Sequence, residues 1–156
     1  MHADFPTLSY DVTIKIEHLL NHRDLLPELS ETGCLMVTSA VESLDDAVLE
    51  RLQKGHTCAD FETAVRLLRE AGLTLAPTFI AFTPWTTRQS YVHLLRTLAE
   101  LDLVENVAPV QWALRLLIPA GSRMLELEEV QALLTGFDQE ALLHRWQHPE
   151  IGRAHV

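Results

Sequence analysis

TSAVESLDDAVLERLQKGHT, residues 38–57, is the stretch whose reading decides the fold. An apolar run ends at Ala40 and Val41, the carboxylate of Glu42 follows at once, and a helix-forming segment comes directly after it. That segment closes in Lys54, Gly55, His56 and Thr57. In α/β proteins, a polar group at the C-terminal end of a buried parallel strand lies where ligands bind.

Working outward, residues 34–41 (CLMVTSAV) read as a strand covered on both faces, because they are almost continuously apolar. Residues 8–16 (LSYDVTIKI) read as an earlier strand, and a short helix over 24–31 stops at Gly33. Downstream, Ser43 with Asp46 and Thr57 with Asp60 form capping boxes that open helices over 44–54 and 58–71. In the second of these, Phe61, Ala64, Val65, Leu68 and Ala71 fall on one face, and Gly72 ends it. Residues 73–82 (LTLAPTFIAF) read as a third strand, despite the donor that Pro77 removes. Thr86 with Gln89 caps the next helix, lined by Tyr91, Leu94, Leu95, Leu98 and Leu101. Residues 107–118 (VAPVQWALRLLI) read as a fourth strand, and the polar tail offers weak helices over 127–134 and 139–144.

Strands alternating with helices imply an α/β fold with four parallel strands. A small doubly wound sheet fits, and so does part of a (β/α) barrel. Four units cannot close a barrel, and an open one leaves two edges through which a dimer could form.

Composition narrows the function. The 156 residues carry 22 acidic and 12 basic side chains, a net charge of −10, with the cations scattered. A protein that grips a phosphate backbone shows a basic stripe instead, so no nucleic-acid partner is expected. No apolar run approaches the ~20 residues of a membrane span. The start of the chain lacks the basic and apolar regions of a signal peptide, so no membrane role and a cytoplasmic location are expected. Two cysteines, Cys34 and Cys58, make neither a disulfide framework nor a CxxC pair. His18 with His22, and His144 with His148, have the i, i+4 spacing that can hold a metal on a helix, but no HExxH or HxxEH is present. Surface histidines are the simpler account. There is no Gly-rich phosphate loop and no Gly-x-Ser-x-Gly elbow.

Lys15 and Arg115 sit in otherwise apolar runs. Such charges are costly to bury unless paired or facing a wet pocket. Either they lie at strand ends and reach solvent, or they frame, with Glu42, a site for an acidic or zwitterionic ligand. Glu42 has its own simple alternative, a carboxylate stabilising the start of the next helix.

In order and spacing, SAVES, LDDAVLERL and QKGHT resemble the radical S-adenosylmethionine (SAM) enzymes, in the second half of their partial, TIM-like (β/α)6 barrel. ADFETAVRLLREAGLTLAPTFIAFTPWTT looks like that family's next helix, fifth strand and Pro-containing loop; VQWALRLLIPAGS looks like its sixth strand, and YDVTIKIEHL like its third. More narrowly, the wording resembles a radical SAM group named for a Cys/selenocysteine-Ala-Glu-Pro tail, which is absent here. The resemblance implies a barrel portion over residues 1–125, comprising the family's strands three to six, and a helical or irregular tail over 126–156.

For the site, the resemblance implies that Glu42 meets the amino-acid part or ribose of SAM and that Lys54 pairs with its carboxylate. Thr78 and Ile80 would face the ribose and adenine, Leu116 would touch adenine, and Ser39 and Ala40 would supply small residues near the strand end. Lys15 stands where some family members have a carboxylate; it holds SAM differently or faces the substrate, as Arg115 does. SAM and a [4Fe–4S] cluster are the implied cofactors, but the family's CxxxCxxC loop and its Gly-Gly-Glu-type motif are missing from these residues. The expectation is therefore a fragment of a radical SAM oxidoreductase, inactive alone and contributing the SAM-contact and substrate-facing strands to chemistry that starts with reductive cleavage of SAM. The substrate is not implied. The alternatives are a complete small α/β binding module, or an aldolase-type barrel piece with Lys15 as a Schiff-base lysine.

Overall fold

The computed structural model describes residue 5 and residues 7–150. Three parallel strands form the main sheet in the order β1-β2-β3: β1 (Tyr10–Thr13), β2 (Cys34–Glu42) and β3 (Thr74–Phe79). Helices α1 (Ile16–Asn21) and α2 (Leu26–Glu31) join β1 to β2; α3 (Asp46–Arg51) and α4 (Cys58–Glu70) join β2 to β3; α5 (Arg88–Glu100) follows β3. β4 (Ile118–Pro119) comes before α6 (Glu128–Gln131), and with β5 (Leu134–Asp138) and β6 (Leu143–Trp146) beyond that helix it forms a second, antiparallel sheet in the order β4-β6-β5.

Register assigns the two faces of the main sheet. Val12, Val37 and Leu75 lie side by side, as do Ser39 and Pro77, and this face is packed. Helices supply its cover: Phe61, Ala64, Val65 and Leu68 of α4, and Leu94 and Leu98 of α5, are buried in the same cluster as Ile16 and Leu19 of α1. Phe61 meets Phe79 edge-on at 6.1 Å. Each such side chain contributes roughly 1.5–3 kcal/mol by burial. Leu95, expected on the apolar face of α5, is 38% exposed instead. The opposite sheet face carries Thr13, Thr38 and Ala76 in one row and Ala40 and Thr78 in the next. These side chains are small and mostly polar, and all keep some solvent exposure. The expectation that both faces of β2 are covered therefore fails on this side among the described residues.

The expected fourth strand does not form. Residues 107–118 contain a short 3-10 helix, Pro109–Ala113, and make one parallel bridge, Phe82 to Arg115, before Ile118 enters the second sheet. Pro109 supplies no donor and starts a helical turn. Side chains cover the outer edge of β3 in the strand's place: Phe79 N donates to Gln111 Oε1 at 2.5 Å, and Asn106 Nδ2 donates to the Leu75 carbonyl at 2.7 Å. These outward-facing groups alternate with those that bond β2, and Pro77 shares their parity. Its missing N–H thus falls on the edge, where no ladder bond is lost.

Further boundaries differ. The first strand stops at Thr13, so Lys15 is an exposed residue at the N-cap of α1, not a strand residue. Asp45, not Ser43, caps α3, accepting from Ala47 N and Val48 N. Thr87 with Ser90, not Thr86 with Gln89, forms the box that opens α5; Thr86 is buried and bonds Thr83 and the Ala81 carbonyl instead. Thr57 and Asp60 form their box as expected. The tail helices reduce to α6, and residues 139–144 hold a turn and the start of β6. There, cross-strand pairing buries Trp146 with Ile118 and Val130 in a second small cluster.

Candidate functional site

Glu42 ends β2 in an unusual conformation. Its φ is +72°, and the β2–β3 register shifts between Ala40 and Glu42. A non-glycine residue in that region carries roughly 1–2 kcal/mol of strain. The bend is held: Ile80 N donates to the Glu42 carbonyl at 3.0 Å. Across from it, Lys54 is fixed by its own N–H to the Leu49 carbonyl, and its ammonium meets Glu42 Oε1 at 3.3 Å. The two side chains are 20% and 22% exposed. Two opposite charges at a strand end, mostly buried but still reached by solvent, can exchange each other for the ammonium and carboxylate of an amino-acid ligand.

A cleft of about 400 Å³ opens beside Glu42. Ser43, Asp45 and Val48 form one wall, Ile80 and Ala81 the floor, and the first turns of α5 (Thr87, Ser90, Tyr91) the other wall. Volume and position suit a small-molecule site at the C-terminal ends of β2 and β3. Asp45 and the start of α5 were not singled out from sequence; the polar cap residues Thr87 and Ser90 are the only signal that could have indicated them.

The other sequence-derived candidates divide. Ile80 borders the cleft, and Thr78 lies on the bare sheet face beside Ala40. Ser39 points the other way: it is fully buried on the helix-covered face, and its hydroxyl has no hydrogen-bond partner among the described residues. Lys15 is exposed at the start of α1. Arg115 stacks on Trp146, its guanidinium carbon 3.6 Å from the ring centroid, and donates to the Trp146 carbonyl; burial lowers its pKa. Leu116 donates to the Phe82 carbonyl, accepts from Trp146 Nε1 at 2.9 Å and packs in the second cluster. Arg115 and Leu116 thus tie the C-terminal sheet to the end of the main one.

The cysteines do not suit a cluster. Cys34 is buried in β2 with its thiol toward the Met36 carbonyl, and Cys58 lies in the first turn of α4. Burial raises both thiol pKa values. Two thiols, one buried and one partly exposed, cannot replace the three thiolates a [4Fe–4S] centre of this kind takes from its loop. Among the described residues, no group of three or more His, Cys, Asp or Glu is placed to hold a metal ion. Nor is any described helix long and apolar enough to cross a membrane.

No family model matches the sequence. No curated protein matches it either. Solved structures do: the cobalamin-dependent S-adenosylmethionine radical enzyme OxsB with aqua-cobalamin bound (TM-score 0.68, 14% identity) and with aqua-cobalamin and S-adenosylmethionine bound (0.67, 15%). The apo, selenomethionine-labelled form of that enzyme gives 0.68 and 15%. Each match covers 92% of this chain and 27% of the enzyme. At this identity the likeness is one of fold: the chain is folded like part of a radical SAM enzyme and spans about a quarter of its length.

Proposed function

We propose that the chain forms the SAM-contacting wall of a radical SAM-type protein, with Glu42 and Lys54 receiving the amino-acid end of the nucleoside. The observation that carries this is the Glu42–Lys54 pair at the end of β2, beside the cleft. Glu42 accepts from the ligand's ammonium group, and Lys54 donates to its carboxylate. Ile80 and Thr78 offer an apolar and a hydroxyl contact for the purine and ribose. Ser39, Leu116 and Arg115 take no part, since each is engaged in packing. SAM, where a reducing cluster is present, supplies radical chemistry that belongs to the cofactor. The residues here bind and orient; the cluster does not fit this chain, and no step is assigned to it.

Support also comes from the likeness in fold to an enzyme whose structure has been solved with S-adenosylmethionine bound. The test compares SAM with 5′-methylthioadenosine, which keeps the nucleoside but lacks the amino-acid end, by calorimetry. SAM is expected to bind more tightly. Glu42→Gln and Lys54→Ala should each erase roughly 10–100-fold of that preference, the value of a charge-assisted hydrogen bond. Equal affinity for the two ligands in the unaltered chain would overturn the assignment.

A further inference from the structure

His56 sits two residues beyond Lys54 and is only 8% exposed. Its Nδ1 lies 3.4 Å from the Lys54 carbonyl. A carbonyl only accepts, so the neutral ring carries its proton on Nδ1. The Val41 carbonyl also acts on the ring, yet Nε2 has no hydrogen-bond partner among the described residues. One imidazole is therefore wedged between the backbone immediately before Glu42 and the backbone of Lys54 itself.

The surrounding loop leaves the ring little freedom. Gly55 has φ +72°, and a Cβ there would come within 3.2 Å of Glu17 Oε2. On the far side, Thr57 opens α4 through its box with Asp60, and Cys58 N donates to Asp46 Oδ1 at 2.7 Å. Both flanks of His56 are thus pinned. Burial of a polar ring with an idle nitrogen costs stability.

We infer that His56 is the positioning residue of the Glu42–Lys54 pair, an inference that rests on the ligand site proposed above. Its ring spaces the end of β2 from the Lys54 backbone, so that the Lys54 ammonium reaches Glu42, whose side chain borders the cleft. The charged groups acting on the ring are Lys54 and Asp60, of opposite sign, and burial dominates both by keeping the imidazole neutral. A neutral ring leaves Lys54 as the cation of the pair.

The test has two parts. Long-range ¹H–¹⁵N spectra of the unaltered chain report the His56 tautomer; the Nδ1–H form is expected, and an Nε2–H form overturns the inference without any variant. The chemical shifts of the Glu42 side-chain carboxyl carbon and the Lys54 Cε are then compared at one neutral pH in the unaltered chain, in His56→Ala and in His56→Gln, whose amide can still donate to the Lys54 carbonyl. Alanine should move both resonances and weaken SAM binding by about tenfold, with glutamine restoring much of both. Unmoved Glu42 and Lys54 resonances in a folded alanine variant overturn the inference. If SAM fails to bind any of the three chains while these resonances still follow His56, the positioning role stands and the ligand assignment falls.

Discussion

The ammonium of Lys54 lies 3.3 Å from Glu42, a residue whose own backbone is bent to a φ of +72°. The bend and the ion pair can be separated by substitution. Glu42→Ala removes the carboxylate and keeps the strain, whereas Glu42→Gly removes both. The pair's side chains are 22% and 20% exposed, and its loss is common to both variants. The glycine variant should therefore be more stable than the alanine variant by about 1 kcal/mol in urea unfolding. Both should lose the preference for SAM over 5′-methylthioadenosine. Equal stability of the two variants would mean that the bend carries no strain.

Ser39 gives a prediction of the opposite kind. Its buried hydroxyl has no partner among the described residues, so Ser39→Ala removes an unsatisfied group and little volume. An unmade buried hydrogen bond costs roughly 1–3 kcal/mol. The alanine variant should unfold at equal or higher denaturant concentration and bind SAM as before. Loss of SAM binding in a stable Ser39→Ala chain would place the hydroxyl in the site after all.

The first turn of α4 should respond to acid. The hydrogen bonds from Thr57 hold the Asp60 carboxyl below its ordinary pKa. A lowered folded-state pKa contributes stability that is present above the unfolded value, roughly pH 4, and is lost as pH falls through the lower folded value. Asp60→Asn should therefore flatten the stability–pH curve below about pH 4. Thr57→Ala should cost about 1 kcal/mol at neutral pH. An acid limb unchanged in Asp60→Asn would remove Asp60 from this role.

Arg115 is expected to act in packing. Its guanidinium covers the Trp146 ring at 3.6 Å, and Trp146 Nε1 returns a bond to Leu116. Arg115→Ala should uncover that indole, shift its emission to the red in a chain whose other tryptophans are replaced by phenylalanine, and lower the melting temperature. SAM affinity should stay within about twofold, since energetic effects between sites without shared partners are close to additive. A large loss of binding without an emission change would return Arg115 to the ligand site.

Particular residues explain what the sequence disclosed. The alternation of strands and helices, the span of β2 and the box at Thr57 were all legible, because each rests on local signals: an apolar run, a cap, a glycine. The polar end of β2, which borders a cleft, was legible for the same reason. The region beyond residue 100 was not. The run of 107–118 is apolar enough for a strand, but Pro109 and the reach of Gln111 to the edge of β3 turned it into a helical turn with one bridge. Residues 139–144 are helix-prone locally, yet cross-strand pairing and burial of Trp146 overrode that preference. Ser39 lies on the helix-covered face while its neighbour Ala40 has the other parity, since a single position reverses the face in a strand. His56 drew no notice as a site residue because its burial is tertiary.

If a SAM-type nucleoside meets this chain at the ends of β2 and β3, a titration followed by two-dimensional NMR will show where it lands. Added SAM should shift the resonances of Glu42, Ser43, Lys54 and Ile80 in a saturable way and leave those of β5 and β6 in place. Shifts confined to other surfaces, or a spectrum unmoved at high SAM concentration, would contradict it.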